Sequence, residues 1–178
     1  MDAFEIESVL KSFRVIVDTR EQETKRARER YDSFGAPYER AVLDFGDYAA
    51  NLTLPAGELH DVSNRIIPAC VVERKQNLDE LAMCFTRSRD RFRREFERAQ
   101  AAGARVYLLT ENASLDMLIM GQYRSRFKPN AFIASLVAWS IRYDMVPVFC
   151  EMGHSGRIIR EILYRDIKER LERGEIVG

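Results

Sequence analysis

Short apolar runs alternate with stretches of helical period along this chain, and that alternation limits the fold more than any other feature of the sequence. Val15-Ile16-Val17, Ala69-Cys70-Val71-Val72 and Val106-Tyr107-Leu108-Leu109 are short, apolar and rich in β-branched residues. They read as buried strands. Strands are expected over residues 14–18, 38–43, 48–54, 66–75, 105–110 and 145–149, the second alternating like an edge strand. Helices are expected over 23–34, 78–102, 113–120, 131–143 and 156–174. In the second of these, Leu78, Leu81, Phe85, Phe92, Phe96 and Ala99 form one apolar stripe. A break is expected around Thr86-Arg87-Ser88, where a hydroxyl would cap a second helix. Residues 1–12 read as a short lead-in, and Pro55-Ala56-Gly57-Glu58 as a turn. Strands and helices in this order, with a hairpin early on, specify a mixed α/β fold: a central β-sheet flanked by helices on both faces. No repeat or linker interrupts it, so residues 1–178 read as one domain, with its core at about 14–150 and a C-terminal helix at 156–174.

No apolar run approaches the roughly 20 residues of a membrane span. The acidic start, Met1-Asp2-Ala3-Phe4-Glu5, lacks the apolar core of a signal peptide. A cytoplasmic protein without membrane contact is the expectation. Cys70, Cys84 and Cys150 are far apart in apolar surroundings and are expected to be buried free thiols. Basic and acidic residues balance at 28 each. That balance speaks against a generic basic coat for nucleic acid, but the charge is uneven. Arg87, Arg89 and Arg91 crowd one segment, and Arg124, Arg126 and Lys128 a basic loop at 121–130. Both clusters are candidate phosphate contacts. Arg94 and Arg98 are expected to be solvated, paired with nearby acids such as Asp90, Glu95 and Glu97.

The chemistry concentrates at strand ends. Glu73 and Lys75 stand two apart on an expected strand, so both face one side while Arg74 faces the other. Asp79 follows at the start of the next helix, and Gly46-Asp47 closes another strand-like stretch. Asp18-Thr19-Arg20-Glu21 ends the first strand, at the edge where α/β sheets bind ligands. Acids and a lysine at strand ends suit a magnesium or manganese ion and phosphodiester hydrolysis. Asp47, Glu73 and Asp18 are the candidate ligands. Lys75 would orient or deprotonate water or stabilise developing charge, and Asp79 would be a further ligand or hold Lys75. Glu21 would join the cluster, and Arg20 would contact the scissile phosphate or tie the carboxylates together. Singly, each residue has a plainer account. Glu73 and Lys75 would be an ordinary ion pair, Asp47 a turn residue, and Asp79 an acid favourable at a helix N-terminus. Only the metal reading accounts for them together.

The pattern resembles the XPF-type nuclease domain, whose signature is Gly-Asp, a variable gap, then Glu-Arg-Lys-x-x-x-Asp. Here Gly46-Asp47 precedes Glu73-Arg74-Lys75-Gln76-Asn77-Leu78-Asp79. Val17-Asp18-Thr19-Arg20-Glu21 is similar to the family's first-strand motif, and Leu108-Leu109-Thr110-Glu111 to its later strand followed by Glu. The resemblance implies a restriction-endonuclease-like core and a magnesium- or manganese-dependent endonuclease cutting branched or flapped DNA. It implies Asp47 and Glu73 as ligands and Lys75 as the catalytic lysine, with Asp18, Arg20, Glu21 and Asp79 in support. Arg74 and the two basic clusters are the expected DNA contacts. Arg89 or Arg91 stands near the arginine that the family places on its second helix, although Ser88-Arg89 replaces its Gly-Arg pair. Residues 54–65 look inserted, and no helix-hairpin-helix or helicase motif is read, so a free-standing bacterial or phage module is expected. Such domains pair with a second copy or a degenerate partner, and the helices at 131–143 and 156–174 are the candidate surfaces. A non-catalytic DNA-structure-binding subunit and a Holliday-junction resolvase-like nuclease are the alternatives.

Overall fold

The computed structural model describes residues 1–176; Val177 and Gly178 of the expected domain lie outside the described residues. Six strands form one sheet in the order β2-β1-β3-β6-β7-β8. They are β1 Arg14–Asp18, β2 Tyr38–Ala41, β3 Tyr48–Asn51, β6 Cys70–Lys75, β7 Arg105–Glu111 and β8 Val146–Cys150. β4 Thr53–Leu54 and β5 Gly57–Glu58 form a separate hairpin. β3 is antiparallel to both β1 and β6, whereas β1 pairs parallel with β2, and β7 parallel with β6 and β8. All strands except β3 in the sheet therefore run one way. The C-terminal ends of β1, β6 and β7 share an edge with the N-terminal start of β3. That arrangement gathers Asp18, Asp47, Glu73, Lys75 and Glu111 from distant parts of the sequence.

Each face of the sheet carries its own core. α1 Ala3–Leu10, α2 Lys25–Asp32 and α7 Ser155–Glu172 cover one face. α3 Leu78–Phe85, α4 Arg89–Ala101, α5 Leu115–Ile119 and α6 Pro129–Tyr143 cover the other. Burial on both faces explains why β1 and β6 read as continuous apolar runs rather than alternating ones. This is the mixed sheet flanked by helices that the sequence specifies. No described helix is long and apolar enough to cross a membrane.

Several expectations need correction. The lead-in is a helix: Asp2 and Glu5 form a reciprocal capping box, and Ile6, Val9 and Leu10 are buried. The strand expected from residue 66 begins at Cys70; Ile66 makes only an isolated bridge to Leu43, and Pro68 interrupts. The third strand stops at Asn51, whose side-chain oxygen accepts from the amides of Leu52 and His60 and turns the chain into the hairpin. That hairpin is tied to the start of β1 through the Arg14–Glu58 pair, at the edge opposite Glu73 and Lys75. The helix break falls where expected, but no side chain caps α4; the Thr86 hydroxyl donates back to the Ala82 carbonyl instead. Trp139 is core, packed against Phe85, Phe92, Phe96 and Tyr143. All three cysteines are free and buried.

Candidate active site

Gly46 has φ +75°, and a Cβ there would stand 2.6 Å from the Cβ of Val71, so both the backbone and the space demand glycine. The tight passage sets Asp47 between two strands. Its amide donates to the Val72 carbonyl (3.0 Å) and its carbonyl accepts from the Asp18 amide (2.9 Å). The Asp47 Oδ2 accepts from the Arg74 amide at 2.7 Å. β6 then alternates as its sequence requires. Glu73 and Lys75 face α3 and α4, while Arg74 faces α2 and α7.

Glu73 and Lys75 are 4% and 7% exposed. The ammonium donates to Glu73 Oε1 and lies 5.2 Å from the centre of the Phe92 ring. Burial alone would lower the Lys75 pKa, but Glu73 and Asp47 outweigh it and hold the group protonated. Burial, and then the charge of Glu73, push the Asp47 carboxyl well above the usual carboxylate range. The other carboxylate oxygen of Glu73, Oε2, is buried without a hydrogen-bond partner.

These groups line a cleft of about 640 Å³, to which α4 contributes Arg91, Arg94, Glu95 and Arg98. Glu95 escaped the sequence reading, which treated it only as a surface partner for arginines. Burial and then Glu73 raise its carboxyl too. Its one sequence signal is position: it falls between Phe92 and Phe96 on the buried arc of the helix. Arg94 and Arg98 are exposed as expected, but they line the cleft and form no ion pair with Asp90, Glu95 or Glu97; Arg98 pairs with Asp44 at 3.7 Å. Of the two arginines near the family position, Arg91 lines the cleft. Arg87 and Arg89 are exposed outside it, as are Arg124, Arg126 and Lys128 on their loop.

Three expected residues do other work. Both oxygens of Asp18 are taken, one by the Arg20 amide (2.7 Å) and Nε (2.9 Å), the other by Arg20 Nη2 (2.7 Å) and the Leu43 amide (3.1 Å). Asp18 thus holds Arg20 at the cleft rim and has no free oxygen for a metal ion. Asp79 neither joins the acids nor holds Lys75. It accepts from the amides of Arg124 (2.8 Å) and Ser125 (2.7 Å), fastening the basic loop to the start of α3. Arg74 lines the cleft, but its guanidinium donates to buried Glu111 (3.1 Å) and lies 3.7 Å from Glu21. Glu21 does line the cleft, where it also accepts from the Tyr48 hydroxyl at 3.1 Å.

A mixed sheet with acids and a lysine on its C-terminal edge, between two helical layers, is the XPF nuclease type of fold. The chain belongs to the ERCC4-domain family, whose match covers residues 17–155. Its fold is similar to XPF from Aeropyrum pernix, with a TM-score of 0.59 and 21% identity over 86% of this chain and 61% of that chain. A second XPF structure from Aeropyrum pernix, in complex with DNA, gives a TM-score of 0.59 and 20% identity, over 88% of this chain and 65% of that one. The chain therefore spans less than two thirds of the length of either XPF chain. No curated protein matches the sequence.

Proposed function

We propose that this protein is a divalent-metal-dependent endonuclease that hydrolyses phosphodiester bonds in branched or flapped DNA. The observation that carries the reading is Glu73 Oε2, buried without a partner beside Asp47 in a cleft with arginines on one wall. A buried carboxylate oxygen left unpaired is costly unless a ligand takes it. Glu73 and Asp47 are the oxygen donors that a magnesium or manganese ion prefers. Among the described residues no three acids or other ligand side chains converge to hold an ion alone. Two carboxylates completed by water and substrate oxygens are the usual arrangement for magnesium. Such an ion supplies Lewis-acid stabilisation of the phosphoryl charge and a more acidic bound water.

The chain's own residues divide the remaining work. Lys75, beside Glu73 and Asp47, is placed to orient or deprotonate the attacking water or to stabilise the developing negative charge. Arg20, braced by Asp18, presents its half-exposed guanidinium to a backbone phosphate. Arg91 and Arg94 line the path of the strand, and Arg124, Arg126 and Lys128 extend the positive surface. The XPF structure in complex with DNA supports DNA as the partner. One sheet with a core on each face supports a single nuclease domain. For pairing with a second subunit, α6 offers the exposed apolar residues Val137 and Ile141.

The test is a cleavage panel of linear duplex, fork, flap and four-way junction, with magnesium or manganese and a chelator control. Branched substrates are expected to be cut only with metal. Asp47→Ala, Glu73→Gln and Lys75→Ala are each expected to lower the cleavage rate at least about a hundredfold with DNA binding largely kept. Undiminished cutting by all three variants overturns the assignment. Metal-independent junction binding with no product at any enzyme concentration indicates a binding subunit instead, and symmetric paired nicks in the four-way junction a resolvase.

A further inference from the structure

Glu95 lies on a helix crowded with arginines, yet it forms no ion pair with any of them. Arg93 pairs with Asp90 and Glu97, and Arg98 with Asp44. Glu95 Oε1 accepts only from the Gly46 amide, at a long 3.3 Å. Gly46 is the residue that sets Asp47 in place, so the acid on α4 touches the loop that carries the first acid of the cleft. Asp47, Glu73 and Glu95 thus line one cleft with Lys75 as the cation on its floor. Arg20 stands at the rim with its charge already matched by Asp18. Arg20, Arg74, Arg91, Arg94 and Arg98 also line the cleft, but none of them forms an ion pair with Asp47, Glu73 or Glu95. The buried Oε2 of Glu73 has no partner at all and points independently to a cation at this spot.

We infer that Glu95 is a third acid of the cation-binding cleft, supplied by α4 outside the Gly-Asp and Glu-x-Lys pattern, and that it strengthens divalent-ion binding beside Asp47 and Glu73. This rests on the reading of the cleft as a metal site. Since no three ligand side chains converge on a single point, Glu95 acts at one remove: it adds charge and accepts a hydrogen bond from a water on the ion. Groups in that position typically change metal affinity about 10- to 100-fold when removed.

Manganese binding to the whole protein without DNA, followed by calorimetry or by the electron-spin signal of free manganese, tests this with no cleavage readout. Glu95→Gln keeps an oxygen to accept from the Gly46 amide and loses only the charge. It is expected to weaken manganese binding at least about tenfold. Glu95→Asp, which keeps the charge, is expected to retain most of the affinity. Glu97→Gln, an exposed neighbour paired with Arg93, is the control and is expected to bind like the parent. If Glu95 merely holds the Gly46 turn, Glu95→Gln binds like the parent and the inference is overturned. In that case weakened binding by Glu73→Gln leaves the metal reading standing. No manganese binding by the parent protein overturns both.

Discussion

The two faces of the sheet at the end of β6 treat charge in opposite ways. On the α2 and α7 face, Glu111 is fully buried and accepts from Arg30 Nε (2.8 Å), Arg30 Nη2 (3.2 Å) and Arg74 Nη1 (3.1 Å). Arg30 Nη1 turns to the Tyr48 hydroxyl at 3.2 Å, and only Arg74 Nε lacks a partner. α2 and α7 approach so closely that a Cβ on Gly156 would stand 2.2 Å from the Arg30 carbonyl oxygen. On the α3 and α4 face, the same strand presents Glu73 and Lys75 to an open cleft, where Glu73 Oε2 is left unpaired. Two arginines bracketing one fully buried acid make a clamp, beside an open pocket of about 510 Å³ that Arg30, Arg74 and Glu111 line with Glu21. Glu73, with one oxygen unpaired beside Asp47, Glu95 and Lys75, marks the candidate site. Adjacent residues of one strand thus differ in their pairing: Arg74 shares a buried acid whose two oxygens are both taken, whereas Glu73 keeps one oxygen unpaired.

The strongest attempt to break this contrast is Glu111→Gln. It leaves two guanidinium groups facing a neutral amide, Arg30 almost fully buried and Arg74 nearly so. Breaking a buried ion pair from one side costs about 3–5 kcal/mol. Urea unfolding is expected to show a loss of that size, with cleavage retained by the protein that remains folded. A variant as stable as the parent but unable to cut would move Glu111 from the clamp into the chemistry, and the contrast would fail.

Glu73→Gln sharpens the comparison from the other side. Lys75 loses its direct partner but keeps Asp47 as a neighbouring charge. Asp47 and Glu95 are both relieved of the repulsion from Glu73. These effects oppose one another, so the expected stability change is small, about 1 kcal/mol or less. Glu73→Gln, expected to lose cleavage, is therefore also expected to unfold near the parental urea midpoint. A loss as large as that of Glu111→Gln would show that the cleft is as much a structural clamp as the opposite face.

Local pattern carried much of this arrangement in the sequence. The period-2 spacing of Glu73 and Lys75, the apolar strands and the Gly46-Asp47 turn are all decided by neighbours in the chain. What the sequence hid depends on contacts between distant elements. Glu95 reaches the cleft because α4 packs its Phe92 and Phe96 into the core, which brings the residue between them to Gly46. Asp18 looked like a ligand because strand-end acids often are. Its commitment to Arg20 depends on a local turn and on the Leu43 amide, 25 residues away in sequence. The pairing of Arg74 depends on β7, which supplies Glu111, and on α2, which supplies Arg30 beside it. The helix at the N-terminus is a different case, because its Asp2–Glu5 capping box was present in the sequence and went unread.

Asp79 gives the mildest test, because it belongs to neither face. Its carboxylate receives the Arg124 and Ser125 amides and a 3.3 Å contact from Arg124 Nε, all at a partly exposed position near the N-terminus of α3. Asp79→Ala removes an exposed pair worth about 0–1 kcal/mol and a favourable charge at the helix start worth about 0.3–1 kcal/mol. Water can replace the acceptor for exposed amides, so a total near 1 kcal/mol is expected. The larger consequence falls on the basic loop, whose Arg124, Arg126 and Lys128 lose their anchor while keeping their charge. DNA affinity is expected to fall only a few-fold, and manganese binding to stay at the parental value, because Asp79 is fastened to the loop and not to the cleft. A loss of manganese affinity comparable to that of Glu73→Gln would place Asp79 in the acid group after all, and the site would then extend from β6 onto α3.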